Sequence, residues 1–168
     1  MGGVKMDEKL LLSLIENNAK LTTTDLAMAL NETEENISFE LSRLEKKRII
    51  CGYHTLINWD RTNNDQVLAL IQVKTNSERD YGYDRIAKRI YQFPEVDTMY
   101  LLSGNYEFVV FIKGKTMQEV ANFVGSKLAC VDGVTGTSTL FVLKQYKNNG
   151  VCFEDNKDTS KERLVVTP

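Results

Sequence analysis

The sequence predicts an α+β protein in two parts: three helices, then a four-stranded sheet with two helices. Two observations predict this. Apolar residues recur at a helical period from Met6 to about Arg48, and at a period of two in the segments from Val67 onward. Between the two, Asp60 to Asp65 is polar throughout and reads as a boundary. With 168 residues the chain can bury a core, and 42% hydrophobic with 26% charged residues is the composition of a folded protein.

The first helix carries Leu11, Leu14 and Ile15 on one face and ends in Glu16-Asn17-Asn18. Thr22 stands three residues ahead of Asp25, a capping-box spacing that starts a short helix with Leu26, Ala27 and Leu30 inward; Asn31 breaks it. A third helix is capped by Thr33, places Glu34 and Glu35 where the macrodipole favours anions, and aligns Ile37, Leu41 and Leu44. Helix, short helix, tight turn and longer helix is the order of a helix-turn-helix. The β-branched run from Ile49 to Ile57 reads as an extended wing, so residues 6–60 form a winged helix-turn-helix and 61–65 a linker.

In the second part, strands are expected at Val67–Lys74, Val96–Leu102, Phe108–Ile112 and Thr137–Tyr146. The first pair encloses a helix with Tyr83, Ile86, Ala87 and Ile90 on one face, stopped at Phe93-Pro94. The last pair encloses another, started by the Thr116/Glu119 capping box, with Met117, Val120, Ala121, Val124 and Leu128 as its buried stripe. This β-α-β-β-α-β order over residues 66–147 is a ferredoxin-like sandwich with both helices on one side of the sheet. Both faces of the sheet are apolar: Val67, Ala69, Ile71 and Val73 alternate with Leu68 and Leu70, and Phe108, Val110 and Ile112 alternate with Val109 and Phe111. Helices cover one face. The other must meet a protein surface, most simply a second copy of the chain, the alternative being cover by the linker or by the tail. Residues 148–168 read as a polar tail ending in Leu164-Val165-Val166, which either frays or adds to a neighbouring sheet edge.

Several chemistries lack their parts. The three cysteines, Cys51, Cys130 and Cys152, form no C-x-x-C and are expected as reduced packing residues. His54 is the one histidine, too few for an ordinary catalytic zinc site, and it has no carboxylate partner that would place it in a triad. Gly114-Lys115-Thr116 imitates the end of a phosphate loop, but Val109 occupies the position of its first glycine. No catalytic residue, metal ligand or cofactor is therefore assigned. The apolar runs are too short to span a bilayer and the N-terminus lacks the features of a signal peptide, so a cytoplasmic protein is expected.

Four groups of residues carry a family resemblance. They are Leu26-Ala27; Arg43-Leu44-Glu45 followed by Ile49-Ile50-x-Gly52-Tyr53; Ser103-Gly104-Asn105-Tyr106-Glu107-Phe108; and Asp132-Gly133-Val134. In this order and spacing, on a winged helix-turn-helix joined to a β-α-β-β-α-β domain, the chain resembles the Lrp/AsnC, or feast/famine, transcriptional regulators. The resemblance covers Met6 to about Lys147. It implies a regulator that binds double-stranded DNA, responds to a small effector such as an amino acid, and assembles as a homodimer and higher homo-oligomer, an octamer among them. It also implies effector binding by Gly104, Asn105, Tyr106 and Glu107 in the turn between the middle strands, with Thr135, Gly136, Thr137 and Thr139 opposite. The family's turn is usually of a glycine-tyrosine-aspartate type; here the acid is Glu107, one methylene longer. The residue chemistry suits an amino acid, with backbone amides at Gly104 for a carboxylate and Glu107 for an ammonium. The same residues also suit a plain hairpin turn and a strand.

For DNA, the exposed face of the third helix offers Glu35, Ser38, Phe39, Ser42 and Lys46, with Arg43 and Lys47 among the cations at its far end and Lys20, Thr23 and Thr24 near the backbone. Dimers would read imperfect palindromes with half-sites about one helical turn, or a multiple of it, apart. Yet the helix start carries Glu32, Glu34, Glu35 and Glu40, and residues 1–60 hold seven Lys/Arg against ten Asp/Glu. Either Glu34 and Glu35 serve the helix terminus, or Glu35 accepts from a cytosine amino group. Two rival functions follow: a metabolite-sensing co-regulator with little DNA binding, and an enzyme of the siroheme-decarboxylase type, which is richer in histidine than this chain.

Overall fold

The computed structural model describes residues 6–63, 66–76 and 82–154. The chain divides between Ile57 and Asn58 into two compact units.

The first unit is three helices: α1 (Glu8–Asn17), α2 (Thr23–Leu30) and α3 (Glu34–Lys46). Asp7 caps α1, its side chain accepting from Leu10 N. At α2 the Thr22/Asp25 box closes both ways, with Asp25 N donating to Thr22 Oγ1 and Thr22 N to Asp25 Oδ2. Asn31 then turns left-handed at φ 52° and the Glu32 amide reaches back to Ala27 O, which ends α2 and sets the tight turn. Thr33 Oγ1 accepts from Asn36 N and starts α3. Leu11, Leu26, Ala27, Ile37, Leu44 and Ile50 make the core, with Leu14, Ile15, Leu30 and Leu41 packed around it, as the helical period predicts. The expected wing is extended backbone without a strand ladder: Tyr53, Leu56 and Ile57 are exposed there, and Tyr53 is tethered to α3 through its hydroxyl, which donates to Glu45 Oε1 at 2.9 Å. An isolated extended segment has no backbone partner to make it a strand.

The second unit opens with a 3-10 turn at Trp59–Arg61, which straddles the expected boundary between residues 6–60 and the linker 61–65. It continues with β1 (Val67–Thr75), α4 (Gly82–Tyr91), β2 (Val96–Leu101), β3 (Phe108–Gly114), α5 (Met117–Ser126) and β4 (Val134–Phe141). The sheet order is β2-β3-β1-β4, antiparallel at every pairing described. Ala69, Ile71, Val73, Phe108, Val110 and Ile112 pack against Ile86, Ile90, Val120, Phe123 and Val124 of the two helices, so α4 and α5 cover one face. The α5 stripe differs from expectation. Phe123 is buried while Met117 and Ala121 are exposed, because the buried arc is centred on the Val120–Val124 edge of the helix.

The last strand begins three residues earlier than expected and ends at Phe141. A bulge at Lys74/Thr75 lets Val134 pair with Thr75, and beyond Phe141 the chain leaves the ladder, with Leu143 92% exposed. The expected tail is partly a hairpin: β5 (Lys147–Asn148) and β6 (Val151–Cys152) pair across Asn149-Gly150, both at positive φ. An Asn-Gly turn between two short strands is the strongest local hairpin signal, and it marks this element in the sequence. Asn58 Nδ2 donates to Phe153 O at 3.2 Å, fastening the hairpin to the start of the same unit. Leu164-Val165-Val166 lies outside the described residues.

Candidate functional site

Two regions carry the residues singled out by sequence: the exposed face of α3, and the end of the sheet where the β2–β3 turn and β4 flank β1.

On α3, Glu35, Ser38, Phe39, Ser42 and Lys46 are all exposed, and their spacing at i, i+3, i+4, i+7 and i+11 places them along one stripe. Lys47 is exposed just after it, and Lys20 is exposed before α2. Phe39 is 71% exposed, with no packing role to account for so large an apolar group. The other acids near α3 have internal partners. Thr24 Oγ1 donates to Glu34 Oε1 at 2.9 Å, joining the starts of α2 and α3, and Asn36 Nδ2 donates to Glu32 Oε2 at 3.1 Å. Glu40 accepts from Arg43 Nε at 2.8 Å, and Arg43 also pairs with Glu8 of α1. The Arg43 hydrogen bond holds the Glu40 carboxyl below its ordinary value, and the carboxylates raise the guanidinium in turn.

Two expected DNA contacts are therefore occupied within the unit. Arg43 is a strut between α1 and α3, its side chain 29% exposed, because its place on α3 lies beside Glu8 rather than on the open stripe. The Thr24 hydroxyl is held by Glu34, and Thr23 is half-buried. Glu35 alone among Glu32, Glu34, Glu35 and Glu40 has no partner among the described residues.

At the sheet end, Gly104 and Asn105 are exposed, and Tyr106 and Glu107 half-buried. Gly104 is not at positive φ and a Cβ there would meet nothing within 4 Å, so its backbone conformation does not call for glycine. The glycine of this region that is required is Gly133, at φ 95°, where a Cβ would stand 2.6 Å from Ile86 Cδ1. The Glu107 carboxylate accepts from Thr75 N at 2.7 Å and the Glu107 amide donates to Val73 O, so the turn is buttressed against the end of β1. On the other side of β1, Thr137 pairs with Val73, Thr139 with Ile71 and Gly136 with Lys74. Directly paired residues share a face, so Thr137 and Thr139 lie on the helix-covered side of an edge strand; Thr135 is exposed.

The turn and the threonines thus flank β1 at one end of the sheet, two strand spacings or about 10 Å apart. Thr75 sits between them, missed by the sequence reading. It is 8% exposed and its Oγ1 is buried without a hydrogen-bond partner. Its signal was weak, a threonine at the end of an apolar strand. Two cavities lie elsewhere, one of about 310 Å³ between α4 and β2 and one of about 430 Å³ beside Asn58 and Lys144.

The remaining residues stand apart from both regions. His54 and Trp59 are exposed, and the three cysteines are free and exposed rather than packed. Among the described residues no group of three His, Cys, Asp or Glu is arranged to hold a metal ion, and no helix is long and apolar enough to cross a membrane.

The Lrp/AsnC ligand-binding domain matches residues 68–152. The uncharacterised HTH-type transcriptional regulator YugG of Bacillus subtilis (strain 168) is 36% identical over 159 residues, 94% of this chain and 95% of that protein. The HTH-type transcriptional regulator LrpA of Pyrococcus abyssi is 26% identical over 140 residues, 83% of this chain and 96% of its own. The crystal structure of the transcriptional regulator NMB0573 from Neisseria meningitidis, a complex with L-methionine, superposes with a TM-score of 0.66 at 23% identity, over 86% of this chain and 94% of that one.

Proposed function

Since this chain belongs to the Lrp/AsnC family of HTH-type transcriptional regulators, we propose that it reads duplex DNA in the cytoplasm through α3 and that an amino acid bound at the sheet end changes that reading. The observation that carries the DNA half is the α3 stripe: Glu35, Ser38, Phe39, Ser42 and Lys46 are exposed while the neighbouring acids are engaged within the unit. Arg43 offsets the charge of Glu40, whereas Glu34, bound to the neutral Thr24 hydroxyl, keeps its negative charge, so the attraction to phosphate must come from cations outside these pairs. Lys20, Lys46 and Lys47 supply the phosphate contacts, and each removed cation flattens the salt dependence by about one unit of slope. The chain acts by binding; no step of covalent chemistry is assigned to it.

The effector half rests on Glu107 and the β4 threonines flanking Thr75 at one end of the sheet, and on the L-methionine held by the Neisseria meningitidis relative. The two sets stand about 10 Å apart within one protomer, so a second copy completes the pocket. The uncovered sheet face supplies the means of pairing. Across it, Thr98, Phe111, Leu70 and Leu140 form one row and Tyr100, Val109, Gln72 and Ser138 the next, with Leu140 51% and Tyr100 56% exposed. A homodimer through this face, assembled further into a ring, removes that apolar surface from water at about 25 cal/mol per Å².

A mobility-shift assay on the chain's own upstream region, repeated with each of the twenty amino acids, tests the whole reading. The expected result is a retarded complex whose midpoint moves with one or a few amino acids. A co-regulator without DNA binding, which the net charge of -3 over residues 1–60 favours, gives no complex but still gains thermal stability from an amino acid. Light scattering at micromolar concentration checks the assembly: a 19.1 kDa particle overturns the dimer.

A further inference from the structure

The acids of α3 differ in what holds them, and the difference points to base reading. Glu32, Glu34 and Glu40 are committed to Asn36, Thr24 and Arg43, whereas Glu35 has no partner among the described residues and shares its stripe with Phe39. Glu35 is the second residue of α3 and Phe39 the sixth. Four residues is one turn and about 6 Å along the axis, so the two side chains project from one face at a spacing of one to two base-pair steps of about 3.4 Å.

We propose that Glu35 and Phe39 are the specificity-determining pair of this helix, Glu35 accepting from the exocyclic amino group of a cytosine and Phe39 packing on the methyl group of a thymine one or two base pairs away. The assignment rests on the reading of α3 as the DNA-facing helix. A carboxylate turned toward a duplex is repelled by phosphates unless a base donor meets it. The major groove offers two such donors, the amino groups of cytosine and adenine. Beside the adenine amino group lies N7, an acceptor that repels a carboxylate; cytosine presents no acceptor at that position, so cytosine is the base selected. Phe39 has no hydrogen-bonding group, and the one apolar feature on a base edge in the groove is the thymine methyl. Ser38 and Ser42 flank Phe39 on the stripe and tolerate any base, which leaves discrimination to the acid and the aromatic ring.

The experiment uses the full-length protein and a duplex it enriches from a random pool, remade with each thymine in turn replaced by uracil, which deletes the methyl group alone. Wild type is expected to lose about three- to tenfold in affinity at one thymine of each half-site. Phe39→Ala is expected to lose a similar factor on the parent duplex and nothing further on the uracil copy. Glu35→Gln is expected to bind random-sequence DNA more tightly, since a negative charge has gone, while its preferred base at one position moves from cytosine to adenine, the base a glutamine pairs with. If the pool yields an enriched duplex but uracil costs Phe39→Ala as much as wild type, or Glu35→Gln keeps the cytosine preference, the pair is overturned while the DNA-reading function stands. If no duplex is enriched, both fall. If Phe39→Ala changes the particle mass in light scattering and leaves the uracil penalty in place, Phe39 belongs to an interface between copies and the proposal is overturned.

Discussion

The helical unit and the sheet unit are stabilised by different means. Among the described residues the helical unit's core is six residues, Leu11, Leu26, Ala27, Ile37, Leu44 and Ile50, while that of the sheet unit is thirteen, drawn from the two central strands, both helices and the turn after α5. A small core leaves the helical unit dependent on polar fittings: the Thr22/Asp25 box, the Thr33 cap, the Thr24–Glu34 link and the Glu8–Arg43–Glu40 strut. The comparison teaches that what an acid-rich helix such as α3 presents outward cannot be judged by counting its charges. Most of the acids near α3 are fittings of this kind, and what the helix presents outward is set by what remains.

The comparison is tested first by the core. Leu44→Ala removes a fully buried side chain and should cost about 2 to 5 kcal/mol. Calorimetry should show the helical unit melting first and the sheet unit near its original temperature; one transition moving as a whole would mean the units do not unfold separately. In the sheet unit the sharpest single position is Gly133. Gly133→Ala puts an L-residue at φ 95° against Ile86 and should cost about 1 to 3 kcal/mol in urea denaturation, whereas Gly104→Ala, in open space at an ordinary φ, should stay within about 0.5 kcal/mol.

A smaller effect is expected from the fittings themselves. Thr33→Ala removes the cap of α3 and should cost about 1 kcal/mol, read as a lower melting temperature of the helical transition. The smallest is the response to acid. Asp25, held by Thr22, and Glu40, held by Arg43, have carboxyls lowered from ordinary values of 3.8 and 4.5. Their contribution is fully present above those values and is lost as pH falls through the lowered ones. In the sheet unit Glu95, beside Lys127, behaves likewise. With two such groups on a smaller core, the helical transition should fall more steeply below about pH 4.5, and Glu40→Gln should flatten that fall; equal slopes for the two transitions would count against polar fittings as the difference between the units.

Much of the candidate site was legible in the sequence, and what escaped did so for identifiable reasons. The α3 stripe follows from helical spacing once the cap at Thr33 is found, and the turn at Gly104–Glu107 from its place between two strand signals. The engagement of Arg43 is not legible because a cation near a helix end looks alike in sequence whether it faces solvent or Glu8, 35 residues away. The burial of Thr75 follows the alternation of Ala69, Ile71 and Val73, but its link to Glu107, 32 residues away, is one that no local pattern announces. The hairpin at Asn149-Gly150 carries a local turn signal, but strands of only two residues leave no alternation to mark them.

The sequence by itself determined whatever rests on neighbours in the chain: helix starts at Thr22, Thr33 and Thr116, the left-handed stop at Asn31, the change of period after the boundary, and the alternation that makes both sheet faces apolar. These are short-range effects of capping, backbone sterics and side-chain direction, and they act before any fold exists. Only the tertiary structure decided which polar groups are engaged. Glu34 is bound to Thr24 and Arg43 to Glu8, leaving Glu35 and Phe39 open, and Glu107 is fastened to Thr75 across 32 residues. A hydrogen bond between distant residues forms where packing happens to bring donor and acceptor within about 3 Å, and that distance is written in the arrangement of helices and strands rather than in any stretch of the chain.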